Sequence, residues 1–330
     1  MKIALLGAAG FLGRAAAQEL SRRPDVSELI LVDYVIRDAK RLAKALSPKC
    51  RWAMADVGKP LELSRLLEGI DAVGNAVGPC AEYEKAVMLT CAGKGVAVAS
   101  AGDGTLPEAD RREVDSAFRD AGVAAVSGCG MMPGWTELLA AHFLGATPSR
   151  PPTPKGATRY LFFSPGRFGG YAFLRGLAKG ITGPAAPPPG SPEGVCFSLP
   201  DGSLVGVPEG KTARRFRRIT GTVGMLGPVG KEFSAALLHW LRGPSSGRPE
   251  EPAAVAGVAV GARFARIEDL SGRLAGLTFV ETTLLLGSLG RKRSGLLPLP
   301  ELLGREEAER LAAAAGARIV AGGDTPPLSG

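Results

Sequence analysis

The sequence predicts an α/β protein: a doubly wound parallel sheet, followed by a second domain of α+β type. Three observations carry this. Short apolar runs alternate with segments of helical spacing up to Ser127, a glycine-rich turn stands at the first junction, and the regularity is lost after Pro133-Gly134. Strands separated by helices need crossover connections, which give parallel pairing with helices on both faces. Strands covered on both faces read as continuous apolar runs, as these do.

The expected strands are Lys2–Leu6, Glu28–Val32, Arg51–Ala55, Asp71–Ala76, Val96–Ser100 and Val123–Ser127. Between them lie expected helices over Phe11–Arg22, Arg37–Leu46, Leu61–Leu67, Glu82–Ala92 and Pro107–Asp120. Apolar residues recur at helical spacing in these segments, with charge on the opposite face.

In the second half, helices are expected over Trp135–Gly145, Tyr171–Lys179, Lys231–Leu241, Leu274–Leu289 and Arg305–Ala315. Strands are expected at Ala157–Ser164, at Ala253–Ala265 and at Arg318–Val320. Val195–Leu199 and Ser203–Val207 flank Pro200-Asp201-Gly202, a hairpin signal. Gly183–Gly194 is so rich in Pro and Gly that a mobile loop is expected. The division that follows is 1–132 for the parallel-sheet domain and 133–300 for the α+β domain. Residues 301–330 form a C-terminal helix and strand that pack back on the first domain.

The net charge of +8 admits a nucleic-acid or membrane partner, or an anionic cofactor. One basic cluster, Lys211, Arg214, Arg215, Arg217 and Arg218, is interleaved with Phe216 alone, so nucleic acid is not expected. No apolar run is long enough to span a bilayer. The five cysteines are scattered without a C-x-x-C pair, and His142 and His239 are the only histidines. Neither a disulfide framework nor a metal site is indicated, and a cytoplasmic setting is expected.

The glycine turn carries the chemistry. Gly7, Ala9, Gly10, Phe11, Leu12 and Gly13 lie between the first strand and the first helix. That is the Rossmann arrangement: one glycine for the tight turn, one for backbone approach to a pyrophosphate, one for helix–strand packing. The helix N-terminus then offers free N–H groups and a positive dipole end to the phosphates. Asp33 closes the second strand where a ribose diol is gripped, and a carboxylate there favours NAD over NADP. Arg37, Lys40 and Arg41 follow, and a base there would suit the 2′-phosphate of NADP. Asp56 and Val57 fall where adenine lies, and Asn75, Ala76 and Gly78 follow the fourth strand on the nicotinamide side.

Taken in order, the glycine turn, Asp33, Asp56, the Asn75–Pro79 turn with Tyr83, Cys91–Asp103 and Gly130-Met131-Met132-Pro133-Gly134 resemble saccharopine dehydrogenase-like proteins. Gly295–Gly304, running into a charged helix, is similar to that family's C-terminal region. The resemblance implies an NAD(P)-dependent oxidoreductase that moves a hydride to or from a carbon bearing nitrogen in an amino-acid-derived substrate. It places Met132, Pro133 and Gly134 at the substrate. Carboxylates on such a substrate would suit planar arginines, for which Arg167, Arg175, Arg214 and Arg215 are the candidates. Asp103 and Tyr83 are the candidates for proton transfer. Two departures stand out: Met132 occupies a position where an acid is usual, and Ala97–Ser100 lacks the aromatic common in that strand.

Three other readings bear on the same residues. A short-chain reductase needs Tyr-x-x-x-Lys, and none of the four tyrosines is followed by Lys at that spacing. A semialdehyde dehydrogenase would use Cys129 as nucleophile. A cofactor-binding scaffold without turnover would bind the dinucleotide and do no chemistry. Apolar residues of the second domain are compatible with a homodimer face.

Overall fold

The structure, a computed structural model, describes residues 1–102, 106–146, 156–164, 167–209, 213 and 251–323. The chain divides into two compact units, Met1–Pro133 with Ala275–Leu302, and Gly134–Leu274 with Leu303–Gly330.

In the first unit the strands are β1 (Lys2–Leu6), β2 (Glu28–Asp33), β3 (Cys50–Met54), β4 (Ala72–Asn75), β5 (Ala97–Ser100) and β6 (Ala124–Ser127). They alternate with α1 (Phe11–Leu20), α2 (Ile36–Ala45), α3 (Pro60–Leu66), α4 (Cys80–Gly93) and α5 (Glu108–Ala121). All pairings are parallel, in the order β6-β5-β4-β1-β2-β3. Strand order therefore reverses between β1 and β4, which is where ligands bind in open α/β sheets. The sheet's α4 face is closed by Val73, Val98 and Ala125 packing against Val87, Met88, Cys91, Val114 and Phe118. The predicted elements of this unit are all present, because doubly buried strands and amphipathic helices leave strong local signals.

The second unit is a mixed sheet with helices. Its strands include β7 (Ala157–Phe163), β8 (Gly183–Ala185), β9 (Gly194–Ser198), β10 (Leu204–Pro208), β11 (Ala254–Val260) and β12 (Arg263–Asp269). Its helices include α6 (Trp135–Phe143) and α7 (Tyr171–Gly180). The expected single strand Ala253–Ala265 is two antiparallel strands, β11 and β12, with Gly261 at φ +60° in the turn between them. The Gly183–Gly194 stretch, expected as a mobile loop, begins with β8 and is tied down: Arg266 Nη1 donates to the Gly190 carbonyl at 2.7 Å. The expected helix Lys231–Leu241 and the basic cluster Lys211–Arg218 lie outside the described residues, Ala213 apart.

The domain boundaries need correcting after Leu274. The helix Leu274–Leu289 (α8) returns to the first unit, where Phe279 packs so closely on β4 that a Cβ at Gly74 would lie 3.0 Å from its ring. The short strand Gly295–Leu296 (β13) then pairs parallel with β6 as the seventh strand. A one-turn helix, Leu299–Leu302 (α9), closes this segment. The C-terminal helix Arg305–Ala315 (α10) and strand Arg318–Gly322 (β14) belong to the second unit instead, β14 pairing antiparallel with β12. The second sheet thus runs β14-β12-β11-β7-β10-β9-β8. Both reassignments rest on ladder hydrogen bonds between segments distant in sequence, which local pattern does not encode.

Candidate functional site

The turn from β1 into α1 is built by glycines with different duties. Gly7 has φ +70°, and a Cβ there would lie 2.7 Å from the Ala76 carbonyl oxygen. At Gly13 a Cβ would lie 2.1 Å from the Gly7 oxygen. The chain's own packing therefore requires both. Gly10 differs: its backbone is ordinary extended (φ −71°, ψ 177°), and a Cβ would meet only the Gly7 oxygen, at 3.2 Å. A side chain at Gly10 would thus meet one tight backbone contact, milder than the clashes at Gly7 and Gly13. The N-terminus of α1 has no side-chain cap hydrogen bond and no acid in its first turn, which leaves its dipole unopposed by a residue of the helix itself. Phe11 is exposed and Leu12 half-buried beside them.

Asp33 at the end of β2 fastens this turn. One carboxylate oxygen accepts the Ala9 N–H at 2.9 Å, the other the Val35 N–H at 2.9 Å. A carboxylate has about four lone-pair directions, so capacity remains for a ribose hydroxyl. Arg37 is exposed and lies 3.3 Å from Asp38. Lys40 stands 5.3 Å over the Trp52 ring. Asp56 turns its Oδ1 onto the Gly58 N–H at 3.0 Å, and Val57 is buried.

Asn75 is placed differently from expectation. It is fully buried, its Nδ2 donates to Ser100 Oγ at 3.2 Å, and its Oδ1 accepts the Val77 N–H at 3.2 Å. The side chain is consumed in shaping the turn, so any cofactor contact there belongs to the Ala76–Gly78 backbone. Tyr83 packs against the core beneath the sheet, and Asp103 lies outside the described residues.

The Pro133 turn is held by close packing: a Cβ at Gly128 (φ +84°) would lie 2.7 Å from the Pro133 ring, and Gly130 N–H donates to the Pro133 carbonyl at 3.2 Å. Met132 is half-buried. In the second unit, Gly134 N–H donates to Glu137, a buried acid that also accepts from Thr136 (2.7 Å) and Arg159 (2.9 Å). Arg159 continues to Asp201 in the β9–β10 turn at 2.6 Å, with only 5 % of its side chain exposed. Arg167 is committed elsewhere than to a substrate: its guanidinium donates to the backbone carbonyls of Glu251 and Leu270. Arg175 is half-buried on α7.

Cys129 does not suit a nucleophile. It is fully buried, burial pushes its thiol far above the usual range, and the reactive species of a cysteine is the thiolate. The semialdehyde reading draws no support from so buried a thiol. Among the described residues, no group of His, Cys, Asp and Glu could hold a metal ion, and no helix is long and apolar enough to cross a membrane.

Glu84 escaped the sequence reading. It is 2 % exposed and accepts the Ser127 hydroxyl at 2.9 Å. The signal was its spacing: Cys80, Glu84, Val87, Met88 and Cys91 form the buried stripe of α4, and Glu84 is its one acid.

A glycine turn at the switch point of a parallel sheet, opening a helix, is a dinucleotide-binding arrangement, and with the family match that follows it marks an NAD(P)-dependent oxidoreductase. The family model of the saccharopine dehydrogenase NADP-binding domain matches residues 3–126. The apo saccharopine dehydrogenase (L-Glu forming) of Saccharomyces cerevisiae is 13 % identical, covers 98 % of this chain and all of its own, and superimposes with a TM-score of 0.61. GenD2 of gentamicin A biosynthesis, solved with NAD, is 12 % identical over 98 % of this chain and 97 % of its own, with a TM-score of 0.46. The family match is thus confined to residues 3–126, and along its length the chain shares the fold of the yeast enzyme.

Proposed function

We propose that this oxidoreductase holds its nicotinamide dinucleotide on the Gly7–Gly13 turn and transfers a hydride to or from a carbon bearing nitrogen in an amino-acid-derived, carboxylate-bearing substrate. The observation that carries the cofactor site is Gly10. Gly7 and Gly13 answer to the fold, whereas the bare face at Gly10 beside the α1 N–H groups answers to a pyrophosphate.

Asp33 accepts the adenosine ribose hydroxyl while keeping Ala9 in place, which favours NAD; Arg37 beside it is the base available to a 2′-phosphate. Asp56 and Val57 line the adenine end, and the Ala76–Gly78 backbone guides the nicotinamide end. When bound, the nicotinamide supplies or accepts the hydride. The chain's residues orient and shield the reacting carbon: Met132, Pro133 and Gly134 as contact surface, and Tyr83 and Asp103 as proton-handling groups. This reading leaves Arg167 out, because its guanidinium is already engaged.

The test is a titration with NADH and NADPH followed by nicotinamide fluorescence, then reduction assays on paired amino acids and keto acids. Micromolar binding with turnover on one pair supports the reading. Failure of both cofactors to bind overturns it.

A further inference from the structure

Tyr160 on β7, Gly257 on β11 and Arg266 on β12 are paired in register, so they form one row on one face of the second sheet. The fully buried Tyr160 ring lies over Gly257, where a Cβ would stand 2.4 Å from the hydroxyl oxygen. The hydroxyl is thereby carried across β11 toward Arg266. The Pro-rich stretch Gly183–Gly194 arrives at the same place. A Cβ at Gly190 would lie 2.1 Å from the ring of Phe264, two residues from Arg266 on β12, and the Gly190 carbonyl accepts Arg266 Nη1 at 2.7 Å. Ser191 follows directly. Arg266 Nη2 is engaged by Glu268 at 2.7 Å. Among the described residues, three buried side-chain polar atoms have no hydrogen-bond partner: Tyr160 Oη, Arg266 Nε and Ser191 Oγ. All three belong to this one spot. Polar atoms left so would cost free energy, and three partners are what a buried water ordinarily binds. Arg266 Nε can only donate, and burial, opposed by the Arg266 charge, pushes the Tyr160 hydroxyl upward, so it too keeps its proton. The occupant must therefore accept.

We propose that Tyr160, Arg266 and Ser191 hold one water-sized hydrogen-bond acceptor, a water molecule or a halide ion, that fastens the Gly183–Gly194 segment to the sheet. All three residues lie in the second unit, and none belongs to the dinucleotide site proposed above. Arg266 grips the segment directly through Gly190; the occupant adds Ser191 on the segment and Tyr160 beneath it to the same joint.

The experiment is urea unfolding of the full chain, with wild type compared to Tyr160→Phe, Ser191→Ala and the double variant. The sign decides. If nothing binds there, each buried hydroxyl is a liability, and deleting it leaves stability unchanged or raises it. If the site is occupied, each deletion breaks a hydrogen bond, and the unfolding equilibrium constant rises about tenfold. Both hydroxyls serve one occupant, so the double variant should fall short of the roughly hundredfold effect that independent sites would give. The series is run in chloride and in acetate: a penalty seen only in chloride identifies a halide, and an equal penalty in both identifies a water. Amide exchange gives a second reading that does not need reversible unfolding. Residues 183–194 should exchange about tenfold faster in Tyr160→Phe than in wild type, while β4 is unchanged. Neutral or stabilising single variants, penalties that simply multiply in the double variant, or unchanged exchange over 183–194 overturn the proposal.

Discussion

The Ala9 N–H donates to the Asp33 carboxylate at 2.9 Å, tying the glycine turn to the end of the neighbouring strand. Asp33 therefore has two duties, one to the turn and one to the ligand. They predict different outcomes for Asp33→Ala. If the ribose contact dominates, NADH affinity falls about tenfold more than NADPH affinity. Equal loss for the two would assign Asp33 to turn geometry alone. Parallel fluorescence titrations of both cofactors distinguish these.

Gly10→Ala and Gly13→Ala should part company. At Gly13 the new Cβ would lie 2.1 Å from the Gly7 oxygen, so the protein melts lower or does not fold. At Gly10 the backbone is ordinary, and the melting temperature should hold within a few degrees. Cofactor affinity should fall by at least tenfold, because the methyl group intrudes on the pyrophosphate. A Gly10→Ala protein that binds normally would place the dinucleotide elsewhere.

The parallel sheet was legible because each of its elements carries its own pattern. The glycine turn, Asp33 and the Pro133 turn were legible for the same reason. What was not legible depends on partners far along the chain. Leu274–Leu289 is apolar all round, which says that it is buried and not where. Gly190 is held by Arg266, and nothing in its Pro-rich surroundings foretells that hydrogen bond. Asn75 and Arg167 have residue types that suit ligands, yet Asn75 Nδ2 goes to Ser100 and the Arg167 guanidinium to the Glu251 and Leu270 carbonyls, partners that local sequence does not bring near. Glu84 was hidden differently: an acid among other charged residues on a helix reads as solvated unless its phase on the buried stripe is checked.

Cysteine chemistry offers a direct check on the candidate nucleophile. With its thiol buried and shifted upward, Cys129 should resist iodoacetamide at pH 8 in the native protein and react only after denaturation. Cys50, half-buried, should label first. Peptide mapping by mass spectrometry reads both, and native labelling of Cys129 would reopen the question.

The Glu137–Arg159–Asp201 chain makes a stability prediction for the second unit. Arg159→Met leaves the buried Glu137 carboxylate without its cation, a loss on the order of 3–5 kcal/mol. Chemical denaturation should show it as a lowered midpoint. A change below about 1 kcal/mol would mean that the charges re-hydrate readily.

The order in which the chain is made gives the domain division a further meaning. The parallel sheet lacks its seventh strand, β13, and the helix that seats Phe279 on Gly74 until residues beyond Ala275 have been synthesised. On a ribosome, the first 133 residues emerge as an unfinished layer, with the Gly74 face of the sheet bare while residues 134–274 are still being threaded out. A premature stop in the second half would therefore cripple the nucleotide-holding half as well, although every residue of the glycine turn had already been translated.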